Sequence, residues 1–395
     1  MLKLWTKRFS WRLARRFLMW LSLGGALFFL FLWRLGNLTT GMSAAEAASR
    51  SASRSLDAIS QNPVNAPHKL LQFGVQTLGH HGAFWLRGVS VIFGLVFLLC
   101  LYGLLKIWFG RLIAFFGVVL VGATPMFILA TRSATATIML VSPLAIIATF
   151  VWLVRTERWP NTAWLSLCLV SAVACYVPGV IWLIAAGAIF GRRRLMGKLE
   201  AVSQASLFAG VTLFFILLVP MAIVSFHHPN VAKELLLVPE SPSHPADFIS
   251  RFGWALSALV WKAQNHTDLI LARLPLLSAT QIVLSAFGFY ALAKRVRGDT
   301  YFLATIVGLA LVAVAIGNRQ NFILFSLPGF ALAAVAGLRF LHREWQSVFP
   351  RNPLPRYLAI GLMGLLVAIQ FVYGARYALV AWPHTTETKS TYVLK

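Results

Sequence analysis

Uninterrupted apolar runs of about 18 residues or more recur from one end of this chain to the other, and they constrain its fold more than any other feature. Hydrocarbon offers no water to backbone N–H and C=O groups, so such runs must pair those groups internally as helices. The runs are continuously apolar and do not alternate, which excludes a membrane barrel. Hydrophobic residues make up 59% of the 395, well above the share in a soluble domain. The expected fold class is all-α: a polytopic membrane helical bundle.

About eleven transmembrane spans are expected, near 17–35, 85–105, 112–130, 136–154, 162–175, 177–191, 205–225, 275–293, 300–317, 322–341 and 356–374. The fifth and sixth are short and flank Tyr176-Val177-Pro178-Gly179. The basic segment Met1–Arg16 leads into a long apolar run without a small-residue cleavage site, so it reads as an uncleaved first span. Residues 1–382 are expected to form one transmembrane domain, and 383–395 a polar, disordered tail.

Charge gives the orientation. The chain has 35 Lys and Arg against 11 Asp and Glu, a formal net charge of +24. On a soluble protein that balance points to nucleic acid. Here the cations sit in short loops between apolar runs, and no basic stripe with interleaved aromatics exists to bind a nucleic acid. Nucleic acid is excluded as a partner, and the charge reads as topology and contact with anionic lipid. With the first residues inside, the inner segments hold 21 of the 35 basic residues but only Glu157, Glu200, Asp299 and Glu344 among the acids. The positive-inside rule then gives N-inside, C-outside. Cys100, Cys168 and Cys175 lie in apolar runs with no metal-type spacing and no disulfide framework.

Two outer segments are long, about 36–84 and about 226–274. The second begins as an irregular loop with Pro229, Pro239, Pro242 and Pro245. It continues with Trp254, Leu259, Trp261 and Leu269 among polar residues, which suits a helix lying on the membrane surface. The first is a polar insert with amphipathic helical character, and it carries most of the candidate chemistry. Ser43 followed by Glu46 is a capping box, which is the structural reading of Glu46. The functional reading makes Glu46 a general base or a ligand to a divalent metal such as Mg, Mn or Ca. Asp57 lies eleven positions on, roughly 16 Å along a straight helix, too far to share one metal with Glu46. It reads first as a solvated surface residue.

His68 and Lys69 follow Pro63 and Pro67, and His80-His81 precede the second span. Adjacent histidines point in different directions on a helix, so that pair reads as interfacial loop. Lys69 and Arg87 are placed to meet an anionic headgroup. Arg132 sits between two spans on the outer side, where topology does not call for a cation, and Arg319 has the same property. A guanidinium is a planar fork suited to phosphate. The competing reading for both is ordinary snorkelling at the interface.

The order of several short motifs over residues 63–145 resembles the GT-C type of integral membrane glycosyltransferases that depend on polyprenyl phosphate, in the protein O-mannosyltransferase and aminoarabinose transferase branch. The motifs are Ala66-Pro67-His68-Lys69-Leu70-Leu71, Trp85-Leu86-Arg87-Gly88-Val89-Ser90, Trp108-Phe109-Gly110-Arg111, Ala123-Thr124-Pro125 and Arg132. The resemblance implies a multi-pass enzyme of a plasma (inner) membrane, of bacterial type. It would move a sugar from a polyprenyl-phosphate-linked donor to an outer-face acceptor by a single inverting displacement. It further implies Glu46 as catalytic carboxylate or metal ligand, Arg132, Lys69, Arg87 and Arg319 around the donor phosphate, and His68 and Asp57 near the acceptor or loop. This chain departs from the pattern in three places, one of them a single Pro67 where the family has Pro-Pro. The acidic pair of the family falls on Ala45-Glu46, and the acidic residue that follows its outer arginine is replaced by Ala134-Thr135-Ala136-Thr137. Two alternatives stand beside transfer: a catalytically inactive binding or assembly protein of the same fold, and a membrane transporter or lipid flippase. Almost no acidic residue lies inside a span to couple ions or protons, which weighs against the transporter.

Overall fold

A computed structural model describes residues 11–239, 244–263, 269–271, 274–295, 297–317, 320–348 and 353–394. The helices in chain order are α1 (Trp11–Leu32), α2 (Ala44–Ala52), α3 (Leu56–Gln61), α4 (Ala66–Thr77), α5 (Ala83–Phe109), α6 (Arg111–Gly122) and α7 (Pro125–Arg132). They continue with α8 (Pro143–Arg155), α9 (Pro160–Ala174), α10 (Val180–Leu199), α11 (Gln204–His227), α12 (Pro229–Leu235) and α13 (Pro245–Val260). The last are α14 (Ala279–Arg295), α15 (Arg297–Gly317), α16 (Leu327–Val348), α17 (Pro353–Ala375), α18 (Trp382–His384) and α19 (Thr386–Thr391). Single 3-10 segments, Ala136–Val141 and Gln320–Ser326, lead into α8 and α16. No strand occurs among the described residues; Met42 and Leu394 form one isolated antiparallel bridge.

The chain is an all-α membrane protein. Each of the expected apolar ranges falls on a helix or a helix pair. Among the described residues five helical segments are long and apolar enough to cross a membrane, or six if the bent pair α6–α7 counts as one span. That pair bends by 68° at a break before Pro125, where proline removes a donor and disfavours helix in the preceding residue. A break inside an apolar bundle strands carbonyls that lipid cannot satisfy. Two glutamines meet that demand. Gln281 donates its amide to the Leu120 carbonyl (3.4 Å) and to Thr124 Oγ1, and Gln370 donates to the Ala123 carbonyl (3.3 Å).

Tight contacts fix the rest. A left-handed Gly110 (φ 85°) turns α5 back into α6. Helices α14 and α16 approach so closely at Gly288 and Gly337 that a Cβ at either would strike a carbonyl of the other helix, Ala333 or Leu284. Small residues at such crossings let backbones meet where no hydrophobic drive separates protein from lipid. Helix α11 lies at the periphery: Phe208, Phe215, Ile216 and Phe226 are exposed, and Gly210 alone of its residues is buried. Helix α13 packs on α15 through the neighbourhood of Ala255, Ala258 and Leu259, so part of the expected surface helix is core.

The insert between α1 and α5 closes one end of the bundle, where α5 begins and α7 ends. The opposite end gathers the last turns of α5, α8, α10 and α16. There Arg339 Nη1 donates to the Phe109 carbonyl at 2.8 Å. The disorder expected of 383–395 is corrected. Thr386–Thr391 is helical, Tyr392 is buried, and Leu394 pairs with Met42 (N–O 2.6 and 3.1 Å). The reason is a short edge in the insert: Thr40 Oγ1 donates to Tyr392 O (2.7 Å), and Met42 offers its N–H and C=O to Leu394.

Candidate functional site

Helix α2 starts at Ser43, whose hydroxyl accepts the Glu46 N–H (3.2 Å) while Glu46 Oε2 accepts the Ser43 N–H (3.3 Å). The capping box therefore forms, and it aims the Glu46 carboxylate across to α5. There Arg87 donates Nε to Oε1 (3.0 Å) and Nη2 to Oε2 (2.8 Å), a two-pronged pair, and the Ala134 N–H reaches Oε1 at 2.8 Å. Four donors thus occupy a carboxylate with about four lone-pair sites. Glu46 is fully buried and Arg87 nearly so. The remaining Arg87 donors go to Leu35 O (3.1 Å), Thr39 Oγ1 (3.1 Å) and Gly41 O (3.0 Å), and the Tyr392 ring lies 5.8 Å from the guanidinium carbon. One ion pair thus joins α2, α5, the stretch after α1, the turn after α7 and the far segment of the chain.

Arg132, at the end of α7, donates Nη1 to Leu30 O (3.0 Å) and Phe31 O (3.1 Å), and Nη2 to Trp33 O (2.8 Å). The last carbonyls of a helix have no internal partner and carry partial negative charge. Arg132 caps α1 from a neighbouring element. Arg87 and Arg132, both expected around the donor phosphate, therefore spend most of their donors on protein oxygens. Arg319 lies outside the described residues.

A divalent metal on Glu46 does not fit its surroundings. The carboxylate faces a guanidinium at hydrogen-bond distance, and among the described residues no three of His, Cys, Asp and Glu stand close enough to share an ion. Asp57 is exposed in the first turn of α3. The single helix expected to carry both acids is corrected. Its run ends at Ser53 and restarts after Ser55, whose hydroxyl accepts the Ala58 N–H (3.2 Å), because these serines cap helices better than they continue them. His80 is exposed and stacks on Trp85 at 4.2 Å between ring centroids.

Helix α4 is the other half of the insert. It begins at Asn65 in the left-handed region (φ 57°), with Pro67 in its first turn. The Asn65 N–H is bound to the Tyr176 carbonyl at 2.8 Å. Buried Gln72 donates to Ala134 O (2.7 Å) and accepts from Ser49 and Ser53 (both 3.1 Å). One turn on, Gln76 donates to Ser53. The sequence reading missed this polar seam; its signal was two glutamines at i, i+4 on an otherwise mixed helix.

His68 is fully buried on α4. Ser90 Oγ donates to Thr135 O (3.2 Å), so it accepts from His68 Nε2 (2.9 Å), which assigns the proton to Nε2. Nδ1 has no hydrogen-bond partner among the described residues. Burial, helped by the adjacent Lys69 charge, pushes the His68 pKa down to about 3. The unfolded chain takes up a proton near pH 6.5 that the folded chain refuses. Stability is therefore complete above about pH 6.5 and falls as pH drops toward 3, by about 1.4 kcal/mol per pH unit at most. Thermal unfolding from pH 7 to pH 4 should show this loss, and His68→Gln should flatten it; an unchanged slope in the variant contradicts the assignment.

Lys69 is the expected phosphate ligand that keeps some exposure. Its ammonium donates to Asn62 O at 2.7 Å. Burial lowers its pKa, and Glu234 of α12 opposes that shift. Helix α12 reaches this place because Val231 and Leu235 pack with Val64 and the Gly179 N–H binds Leu235 O (2.9 Å). Glu234, an acid in the second long segment that the sequence reading passed over, thus stands near Lys69.

No protein-family model matches the sequence, and no curated protein matches it. Solved structures do. ArnT from Cupriavidus metallidurans in the apo state shares the fold with a TM-score of 0.66 at 14% identity, over 96% of this chain and 78% of ArnT. ArnT bound to undecaprenyl phosphate gives 0.58 at 14% identity, over 94% and 75%. The archaeal oligosaccharyltransferase AglB from Archaeoglobus fulgidus, in complex with an inhibitory peptide and a dolichol-phosphate, gives 0.55 at 12% identity. That match covers 95% of this chain and 57% of AglB. At these identities the likeness is one of fold, and the fold is the GT-C fold that the motif order implied.

Proposed function

We propose that this chain is a transferase that takes a sugar from a polyprenyl-phosphate-linked donor and passes it to an acceptor at the end of the bundle closed by the insert. The plasma membrane of a bacterium is its proposed location. The observation that carries this reading is the fold: nearly the whole chain follows that of two proteins solved with a polyprenyl phosphate, undecaprenyl phosphate on ArnT and dolichol-phosphate on AglB. The acceptor oxygen attacks the anomeric carbon, the bond from that carbon to the phosphate oxygen breaks, and the lipid phosphate leaves with the bonding pair; the proton of an acceptor hydroxyl passes to that departing phosphate or to solvent. A cation held in place beside that oxygen lowers the barrier. Lys69 is assigned this role. Glu46, Arg87 and Arg132 are assigned positioning roles, and no step is routed through a metal.

The carboxylate of Glu46, with its four donors, and Ala45 at the place of the family acid favour a second reading, in which the chain binds the lipid without turnover. Lys69→Met separates the possibilities. Mass spectrometry of the purified protein should find retained polyprenyl phosphate, reduced about tenfold or more in the variant, as loss of one charge-assisted contact dictates. Transfer to lipid, glycan or protein acceptors should fall with it. Retention without transfer to any acceptor selects the second reading. Retention unchanged in Lys69→Met overturns the assigned site.

A further inference from the structure

At the end of the bundle opposite the insert, a cavity of about 410 Å³ opens between α5, α8, α9, α10, α14, α15 and α16. Its walls are apolar along most of their depth. Its mouth carries four arginines: Arg155 at the end of α8, Arg194 on α10, and Arg339 and Arg343 on α16. No acidic side chain lines it among the described residues. From Leu183 to Arg194 along α10 the lining runs about 16 Å at 1.5 Å per residue. Arg155, Arg194 and Arg343 are exposed, while Arg339 is held against the wall by the Phe109 carbonyl and ring. Phe190, another lining residue, is 49% exposed. The cavity therefore reaches the flank of α10 as well as the end of the bundle.

We infer that this cavity is a binding site for a long-chain lipid phosphate monoester, its phosphate among the arginines and the first part of its chain in the apolar interior. The chemistry argues for an amphiphile. Guanidinium forks match phosphate oxygens and tolerate partial desolvation better than ammonium groups. A soluble phosphate compound would leave the apolar depth unfilled, and a neutral lipid would make no use of the guanidinium groups. The volume lies within the usual range for ligand sites. It is too small for an entire long chain, so the remainder leaves past Phe190. The site is separate from Lys69 and stands whether or not the insert end transfers a sugar.

The test uses the full chain in neutral detergent, with native mass spectrometry after adding dioleoyl phosphatidic acid or dioleoyl phosphatidylcholine. Phosphatidic acid should be retained about tenfold or more over phosphatidylcholine. The exposed-rim variant Arg155→Gln/Arg343→Gln should lose that preference. Ala188→Trp, which fills the cavity with its rim intact, should lose retention of both lipids. Repeating these measurements in a Lys69→Met background, which removes the phosphate contact proposed at the insert end, reads the cavity alone, so failure here is distinct from failure at the insert end. Equal retention of the two lipids overturns the proposal, as does a preference that survives both cavity variants. So does binding of inorganic phosphate that depends on the rim while lipid retention ignores Ala188→Trp.

Discussion

Arg87→Met should strip the insert of its fold, at a loss of about 3–5 kcal/mol, because it leaves the buried Glu46 carboxylate without its counter-charge. The carboxylate would keep only the Ser43 and Ala134 N–H groups as donors. Limited proteolysis across residues 36–84 and thermal unfolding both report this loss. The double variant Glu46→Leu/Arg87→Met removes both charges, and buried pairs replaced by apolar residues of similar volume lose little. It should regain most of the stability. If the single and double variants unfold alike, the pair is not what holds the insert. Glu46→Gln adds the chemical arm. Were Glu46 the base, the amide would abolish transfer in a protein that still folds; full transfer in that variant removes Glu46 from the chemistry.

Gly337→Val should have the other large effect. The contact between α14 and α16 is backbone to backbone, with Leu284 O facing Gly337 and Ala333 O facing Gly288. Neither obstacle is a side chain that can swing aside. Overpacking of cores costs about 1–3 kcal/mol when neighbours give way, and here separation of two long helices is the sole relief. The variant should fall at or beyond the top of that range, seen as a lower unfolding temperature in detergent and poor recovery from membranes. Gly361→Val, at a position open enough that an added Cβ meets nothing within 4 Å, is the matched control and should behave as wild type. Equal behaviour of the two variants contradicts the packing account.

Much of the architecture was legible in the residues. Apolar runs of span length announce helices because lipid leaves backbone polar groups no other solution. The motif order over residues 63–145 was enough to reach the GT-C fold. The destinations of the polar side chains were not legible. A sequence says that Arg132 carries five donors; it does not say that Leu30, Phe31 and Trp33 will end within reach of them. Likewise Gln281 and Gln370 look like blemishes in apolar spans until the break before Pro125 creates the carbonyls they serve. The helix break between Ala52 and Leu56 was readable in Ser53 and Ser55, but helical spacing of Glu46 and Asp57 argued the other way. The arginine-rimmed cavity draws its walls from helices far apart in the chain, and periodicity within one helix cannot reveal such a volume.

The pairing of Met42 with Leu394, together with the bond from Thr40 Oγ1 to Tyr392 O across 352 positions, has a bearing on biogenesis. The insert leaves the ribosome well before residues 392–394, which form part of its support. Until residues 392–394 have crossed to the same side as residues 40–42, the early loop lacks its fastening and Arg87 lacks the Tyr392 ring. Completion of this face is thus timed by the arrival of residues 392–394 and not by synthesis of the loop itself. A chain stalled or clipped before that segment would carry every apolar helix described above and still present an unfinished surface.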